Sequence, residues 1–157
     1  MGLFNRKTVF LYFGNSTISV TNKKEAEFYA KQFLKHCYES TNLVNNTKNP
    51  EVFFERYDFL IKETENLSKL EVFLHFTGKK PSETLIYLKQ QKEKETNTMI
   101  ERACEDLGKK LNTLKTTKGK INAINKLFDI FRIYSDKMTQ SNIDLCNSYY
   151  NTFIGNV

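Results

Sequence analysis

The chain has 157 residues, of which 39% are hydrophobic and 13% aromatic, so it is long enough for one domain with a buried core and too apolar to be disordered. It contains no apolar run near the roughly 18 residues of a membrane span, and its three distant cysteines form no disulfide framework, which predicts a cytoplasmic protein with reduced thiols. The net charge of +6 is compatible with nucleic-acid binding. Lysine outnumbers arginine 20 to 4, however, and arginine is the residue that better recognises phosphates and bases, so the charge is weak evidence for such binding.

The first predicted element is a β-hairpin. Thr8–Phe13 and Ser16–Val20 are strand-like runs separated by Gly14-Asn15, a two-residue sequence typical of a tight hairpin turn. Pairing across this turn places Leu11 opposite Ile18. Because alternate residues then share a side, the ribbon has one apolar face and one mixed face, as expected for a ribbon packed on helices.

Two helices are predicted next. A capping signal at Asn22 opens a helix that runs to about Ser40, and the polar stretch Thr41–Lys48 is interpreted as a loop. Asn49-Pro50 then provides a cap and a first-turn proline for a second helix. Its apolar face rotates after Ser68, which indicates a kink or a new helix that ends at Gly78.

The second half of the chain is predicted to be helical throughout. Ser82–Lys115 keeps one apolar phase, but Lys89–Thr98 has no apolar residue, so this segment is either one long helix or two. A fourth helix is expected after Gly119, and a short last helix is capped by Ser141. The fold class is therefore mainly α: a single domain, residues 1–157, in which a hairpin appendage (1–20) precedes a bundle of four to five helices (22–154).

We find no motif that carries catalysis. Cys37, Cys104 and Cys146 fall on apolar helical stripes, where buried inert thiols are expected. Glu71 and His75 are spaced i, i+4, but no second ligand pair accompanies them, and Thr117–Lys120 lacks the glycine and hydroxyl residue of a phosphate loop. The sequence predicts no catalytic residue, no cofactor and no metal site, and hence a protein that is not an enzyme.

The strongest electrostatic feature is a run of lysines between Asp106 and Asp129 that contains no acid. It could be a solvated helix end and loop, or it could contact an anion, either phosphate or an acidic protein surface. A second candidate contact is Phe28, which lies opposite the apolar stripe of its helix and is either exposed or covers something else. The candidate lysines are Lys109, Lys110, Lys115, Lys118, Lys120 and Lys126.

Two stretches resemble a known group of proteins. They resemble uncharacterised proteins of low-GC Gram-positive bacteria and their prophages or mobile elements. The first stretch is Asn49–Asp58, which continues through Leu67 and Leu70-Glu71. The second is Thr117–Asn122, which leads into Phe128. The resemblance covers roughly residues 41–135. It implies a bacterial or phage intracellular setting and carries over no activity.

These observations favour a non-catalytic binding protein that acts on a host or self protein partner, of the kind a phage or mobile element carries as an accessory. Packing accounts for nearly every motif, and chemistry accounts for none. The alternative is a nucleic-acid-associated protein that uses the lysine-rich segment 109–126.

Overall fold

The computed structural model describes residues 7–157 and is mainly helical, with five α-helices after an antiparallel two-stranded hairpin, which confirms the predicted fold class. None of these helices is both long enough and apolar enough to cross a membrane. The elements are β1 (Val9–Phe13), β2 (Ser16–Val20), α1 (Lys23–Asn46), α2 (Pro50–Leu70), α3 (Pro81–Leu111), α4 (Thr117–Ile133) and α5 (Gln140–Gly155), with a 3-10 turn at Ser135–Lys137.

By their internal contacts the described residues group into two compact units. The N-terminal unit contains the residues up to Asn42 together with Tyr57–Gln90, and the C-terminal unit contains Leu43–Arg56 and Gln91–Val157. Helices α1, α2 and α3 each contribute residues to both units. The prediction of a single domain stays a prediction.

The hairpin has the predicted register, with Leu11 opposite Ile18. Gly14 occupies the left-handed region at φ 60°, which glycine adopts without the penalty that other residues pay. Leu11 and Val20 on its apolar face are fully buried. They form the core of the N-terminal unit with residues of α1 and α2, namely Ala26, Ala30, Phe33, Leu67 and Leu70.

The loop predicted at Thr41–Lys48 is wrong for most of its length, because α1 continues to Asn46. Val44 extends the buried stripe of α1 by one more turn and is only 3% exposed. The Thr41 hydroxyl donates a hydrogen bond to the carbonyl of Cys37 at 2.8 Å, so this polar residue is accommodated within the helix. Burial of Val44 offsets the weak helix propensity of the surrounding asparagines.

Of the two alternatives predicted after Ser68, a kink or a new helix that ends at Gly78, the new helix is absent, since α2 ends at Leu70 and irregular chain follows to residue 80. Just after the end of α2, the Glu71 carboxylate accepts hydrogen bonds from the backbone N–H of Ser82 and from the Ser82 hydroxyl, the latter at 3.0 Å. Glu71 thus satisfies a free donor at the start of α3. This long-range cap has no signature in the local sequence.

Residues 81–111 form one unbroken helix. Within the C-terminal unit its polar stretch meets a buried asparagine, Asn142, whose amide donates to the Glu93 carbonyl at 3.1 Å and to the Asn97 side chain at 2.7 Å. Asn142 also completes the capping box of α5 with Thr139, so the cap predicted at Ser141 is wrong by two residues. Helix α4 likewise begins earlier than predicted, at Thr117, before Gly119.

Candidate functional site

A groove of about 210 Å³ opens on the C-terminal unit, between the start of α2, the second half of α3 and the face of α4. Five apolar side chains of α3 and α4 line the groove and are together called its floor: Ala103, Leu107, Ala123, Leu127 and Ile130. Its rim is charged and carries Lys48, Asp106, Lys110 and Lys126.

Helical spacing explains why both kinds of side chain line the groove. On α3, Ala103, Leu107 and Lys110 follow one another at intervals of four and three residues, so they share one face. Ala123 and Leu127 repeat the pattern on α4, with the exposed ammonium of Lys126 beside them. The same two faces therefore supply the floor and the rim.

One wall of the groove carries an ion pair that leaves a lysine without a partner. Asp106 lies four residues before Lys110 on α3, which is the ordinary spacing for a helical ion pair. The Asp106 carboxylate instead lies 3.0 Å from the ammonium of Lys48, which precedes the first turn of α2. Lys110 is exposed and has no carboxylate partner among residues 7–157.

The opposite helix shows the same arrangement. Asp129, three residues after Lys126 on α4, pairs with Arg132 on its other side. Lys126 is therefore also without an acidic partner in the described part of the chain. Lys48 and Asp106 neutralise each other, so two positive charges of the rim, Lys110 and Lys126, have no acidic partner among residues 7–157.

The other candidate lysines lie outside this groove. Lys109 pairs with Glu105 at 2.9 Å, and the hydrogen bond raises the pKa of Lys109 while it lowers the pKa of Glu105. Lys115 is exposed in the turn before α4, and Lys118 is exposed in the first turn of that helix.

Lys120 faces a separate depression near Phe153. Of the six candidates, Lys110 and Lys126 are the two that line this groove. Sequence analysis missed Lys48, because its approach to Asp106 joins residues 58 positions apart. The helix-start signal at Asn49-Pro50 predicts that Lys48 precedes a helix, but it does not predict that Lys48 contacts Asp106.

Phe28, the candidate aromatic contact, lies on α1 in the N-terminal unit. Its side chain is 59% exposed, so of the two predicted alternatives the structure shows exposure. Its ring meets the ring of Tyr29 edge-on, with centroids 5.2 Å apart. A single exposed aromatic residue is common on protein surfaces and indicates no partner by itself.

The three thiols occupy sites that disfavour the thiolate. Burial raises the pKa of Cys37, although a hydrogen bond with the Thr64 hydroxyl at 3.6 Å works in the opposite direction. Burial raises the pKa of Cys104 and of Cys146 to about 12, and the nearby Cys146 adds to the effect on Cys104. Since the thiolate is the nucleophile, these thiols are poorly reactive at neutral pH.

Metal-ligating side chains do not cluster in the part of the chain that the structure describes, where no group of three or more His, Cys, Asp and Glu residues could hold an ion. The imidazole of His36 lies 2.9 Å from the buried Glu63 carboxylate, an isolated pair in the N-terminal unit. The i, i+4 spacing alone would pair Glu71 with His75, but the Glu71 carboxylate accepts a hydrogen bond from the Ser82 hydroxyl.

Comparison with known proteins assigns no function to this arrangement. No family model matches the chain, and no curated protein or solved structure is significantly similar to it. The resemblance of residues 41–135 to bacterial and prophage proteins stays a prediction. The charge and shape of the groove are therefore the basis for a functional proposal.

Proposed function

We propose that this chain is a non-catalytic binding protein and that its groove docks a segment of a partner protein. The observation that carries the proposal is the position of Lys110 and Lys126 over an apolar floor, with no acidic partner for either lysine in the described range 7–157. The proposal includes the setting that the resemblance implies, in which the protein acts in a bacterial or phage cytoplasm.

The combination of floor and rim is typical of protein interfaces. Such interfaces have an apolar centre that is desolvated on binding and a polar rim that sets orientation. Leu127 and Ile130 are only half-buried, so their remaining apolar surface gains free energy when a partner covers it. The rim lysines then discriminate between partners by charge.

A nucleic-acid partner is less well supported. Duplex affinity depends on the number of phosphate contacts, and among residues 7–157 the groove offers Lys110 and Lys126 as ammonium groups without an acidic partner. Its apolar floor has no complement in a phosphate backbone. The remaining lysines of segment 109–126 do not extend the groove, because Lys109 is paired and Lys120 lies in another depression.

Site-specific photo-crosslinking tests the proposal. A photoreactive phenylalanine analogue would replace Ile130, at the groove, or Ile133, which is 72% exposed on the same helix and does not line it. We expect nuclease-treated lysate of the producing cells to give a protein adduct from position 130 and not from position 133. Mass spectrometry would identify one recurrent partner peptide.

Absence of a specific protein adduct from position 130 would refute the docking site, and so would either of two further results. One is equal labelling from both positions, which indicates random collision. The other is an adduct that disappears after nuclease treatment, which indicates that nucleic acid carried the protein to the groove.

A further inference from the structure

The partner's chemistry can be specified further, and this step rests on the proposed function. We infer that the groove takes an acidic peptide segment of the partner, in which carboxylates meet Lys110 and Lys126 while an apolar side chain between them covers the floor. The occupant is thus a protein segment that combines both features, and neither a purely apolar helix nor a bare anion.

Charge is the first reason. Charges that face each other across an interface are complementary in sign, so a rim with two uncompensated ammonium groups favours an acidic partner and disfavours a basic one. The acids that helical spacing would offer the two lysines pair with other residues, Asp106 with Lys48 and Asp129 with Arg132. The compensating carboxylates must therefore come from the partner. Two of them balance the charge of the groove.

The apolar floor is the second reason. A small anion such as phosphate would satisfy the two ammonium groups but would leave Leu127 and Ile130 in water. An apolar side chain placed between the two carboxylates removes that surface from water as well. The floor therefore selects a peptide over a free anion.

The size of the groove limits the occupant. A cavity of roughly 150 Å³ accommodates a benzene ring, so the groove, at about 210 Å³, has room for one or two apolar side chains. A long helix would extend beyond it. The apolar centre of a short acidic segment fits the groove, and the rest of the segment lies outside it.

Three synthetic octapeptides, blocked at both ends, test the inference on the full chain. The first is Glu-Glu-Leu-Leu-Glu-Leu-Glu-Glu, the second replaces every Glu by Gln, and the third replaces every Leu by Ala. Titration calorimetry would measure their affinities. We expect only the first to bind, and its affinity to fall with added salt because charge recognition is screened.

A pair of variants with the same change in charge locates the binding. Lys110→Gln with Lys126→Gln removes both free charges of the groove, whereas Lys115→Gln with Lys118→Gln removes two exposed charges outside it. We expect the first variant to lose affinity about tenfold or more and the control to change by less than about twofold. Circular dichroism confirms that both variants fold.

Several outcomes would overturn the inference. They are failure of the acidic peptide to bind, equal binding of the Gln or the Ala peptide, and an equal loss in the control variant. The proposed function fails separately. A crosslink from position 130 to a partner segment without acids preserves the docking groove and rejects the acidic segment, whereas absence of a specific protein crosslink rejects both.

Discussion

The side-chain amide of Asn66 exchanges two hydrogen bonds with the backbone of Tyr12. The Tyr12 N–H donates to Oδ1 of Asn66 at 3.0 Å, and Nδ2 of Asn66 donates to the Tyr12 carbonyl at 2.8 Å. Next to a two-residue turn, Phe13 and Ser16 form the hydrogen-bonded pair, so the backbone groups of Tyr12 point away from β2. The Asn66 side chain on α2 thus takes the place of a neighbouring strand and satisfies the backbone hydrogen-bonding groups of Tyr12 on the outer edge of β1.

Replacement of Asn66 by Ala is therefore expected to lower the free energy of unfolding by roughly 2–3 kcal/mol, since it leaves two backbone groups without partners in a partly buried site. Urea denaturation measures the loss. The control is Asn151→Ala, at an exposed position of α5, which should change stability by less than about 0.5 kcal/mol. If both variants lose the same small amount, the Asn66 contact contributes nothing to stability.

The thiols should be distinguishable by their labelling rates. Cys104 and Cys146 are buried and have pKa values near 12, so a thiol reagent at neutral pH should modify them slowly in the native protein and rapidly in denaturant. Cys37, which is only half-buried, should react faster than both in the native state. Fast native labelling of Cys104 or Cys146 would argue against an inert core thiol.

The same two thiols should make stability depend on alkaline pH. Their pKa is about 12 in the folded state against 9.0 for a free thiol, so the unfolded chain loses these protons first as the pH rises. Their contribution to stability is complete below pH 9.0 and is lost as the pH rises towards 12.

Replacing both Cys104 and Cys146 by Ala should reduce the decline of the free energy of unfolding at alkaline pH. Each thiol contributes at most about 1.4 kcal/mol per pH unit to that decline. Denaturation curves at about pH 8 and pH 10.5 would measure it. Because other groups titrate in both proteins, the comparison is between the two slopes. Identical slopes would contradict the raised pKa values.

Loss of the rim charges should leave the fold intact. Lys48 and Asp106 are both more than half exposed, and exposed ion pairs contribute about 0–1 kcal/mol. Asp106→Asn should therefore change stability by less than about 1 kcal/mol, and Lys110→Gln with Lys126→Gln by still less. Thermal denaturation provides the measurement. A large destabilisation would mean that the rim has a structural role.

Local patterns predicted the elements better than their ends. Alternation around Gly14-Asn15 was sufficient for the hairpin register, because a two-residue turn leaves one pairing that keeps Leu11 and Val20 on the same side. The end of α1 was missed because it depends on burial of Val44, and the end of α2 because Glu71 binds Ser82 eleven residues later. Both are tertiary effects.

The groove was predictable only in part. The lysine-rich segment drew attention to Lys110 and Lys126, but the sequence could not show which lysines have acidic partners. Asp106 would be assigned to Lys110 by helical spacing, whereas the fold gives it to Lys48. The charge of the site therefore depends on a contact between distant parts of the chain.

The measurement that tests the central claim most directly is amide NMR of the isotope-labelled protein during titration with the acidic leucine-containing octapeptide. The proposed docking predicts saturable shifts confined to groove residues such as Leu107, Ala123 and Leu127, which disappear in the Lys110→Gln, Lys126→Gln variant. Shifts centred on the exposed Lys115 and Lys118, or shifts that persist in that variant, would contradict it.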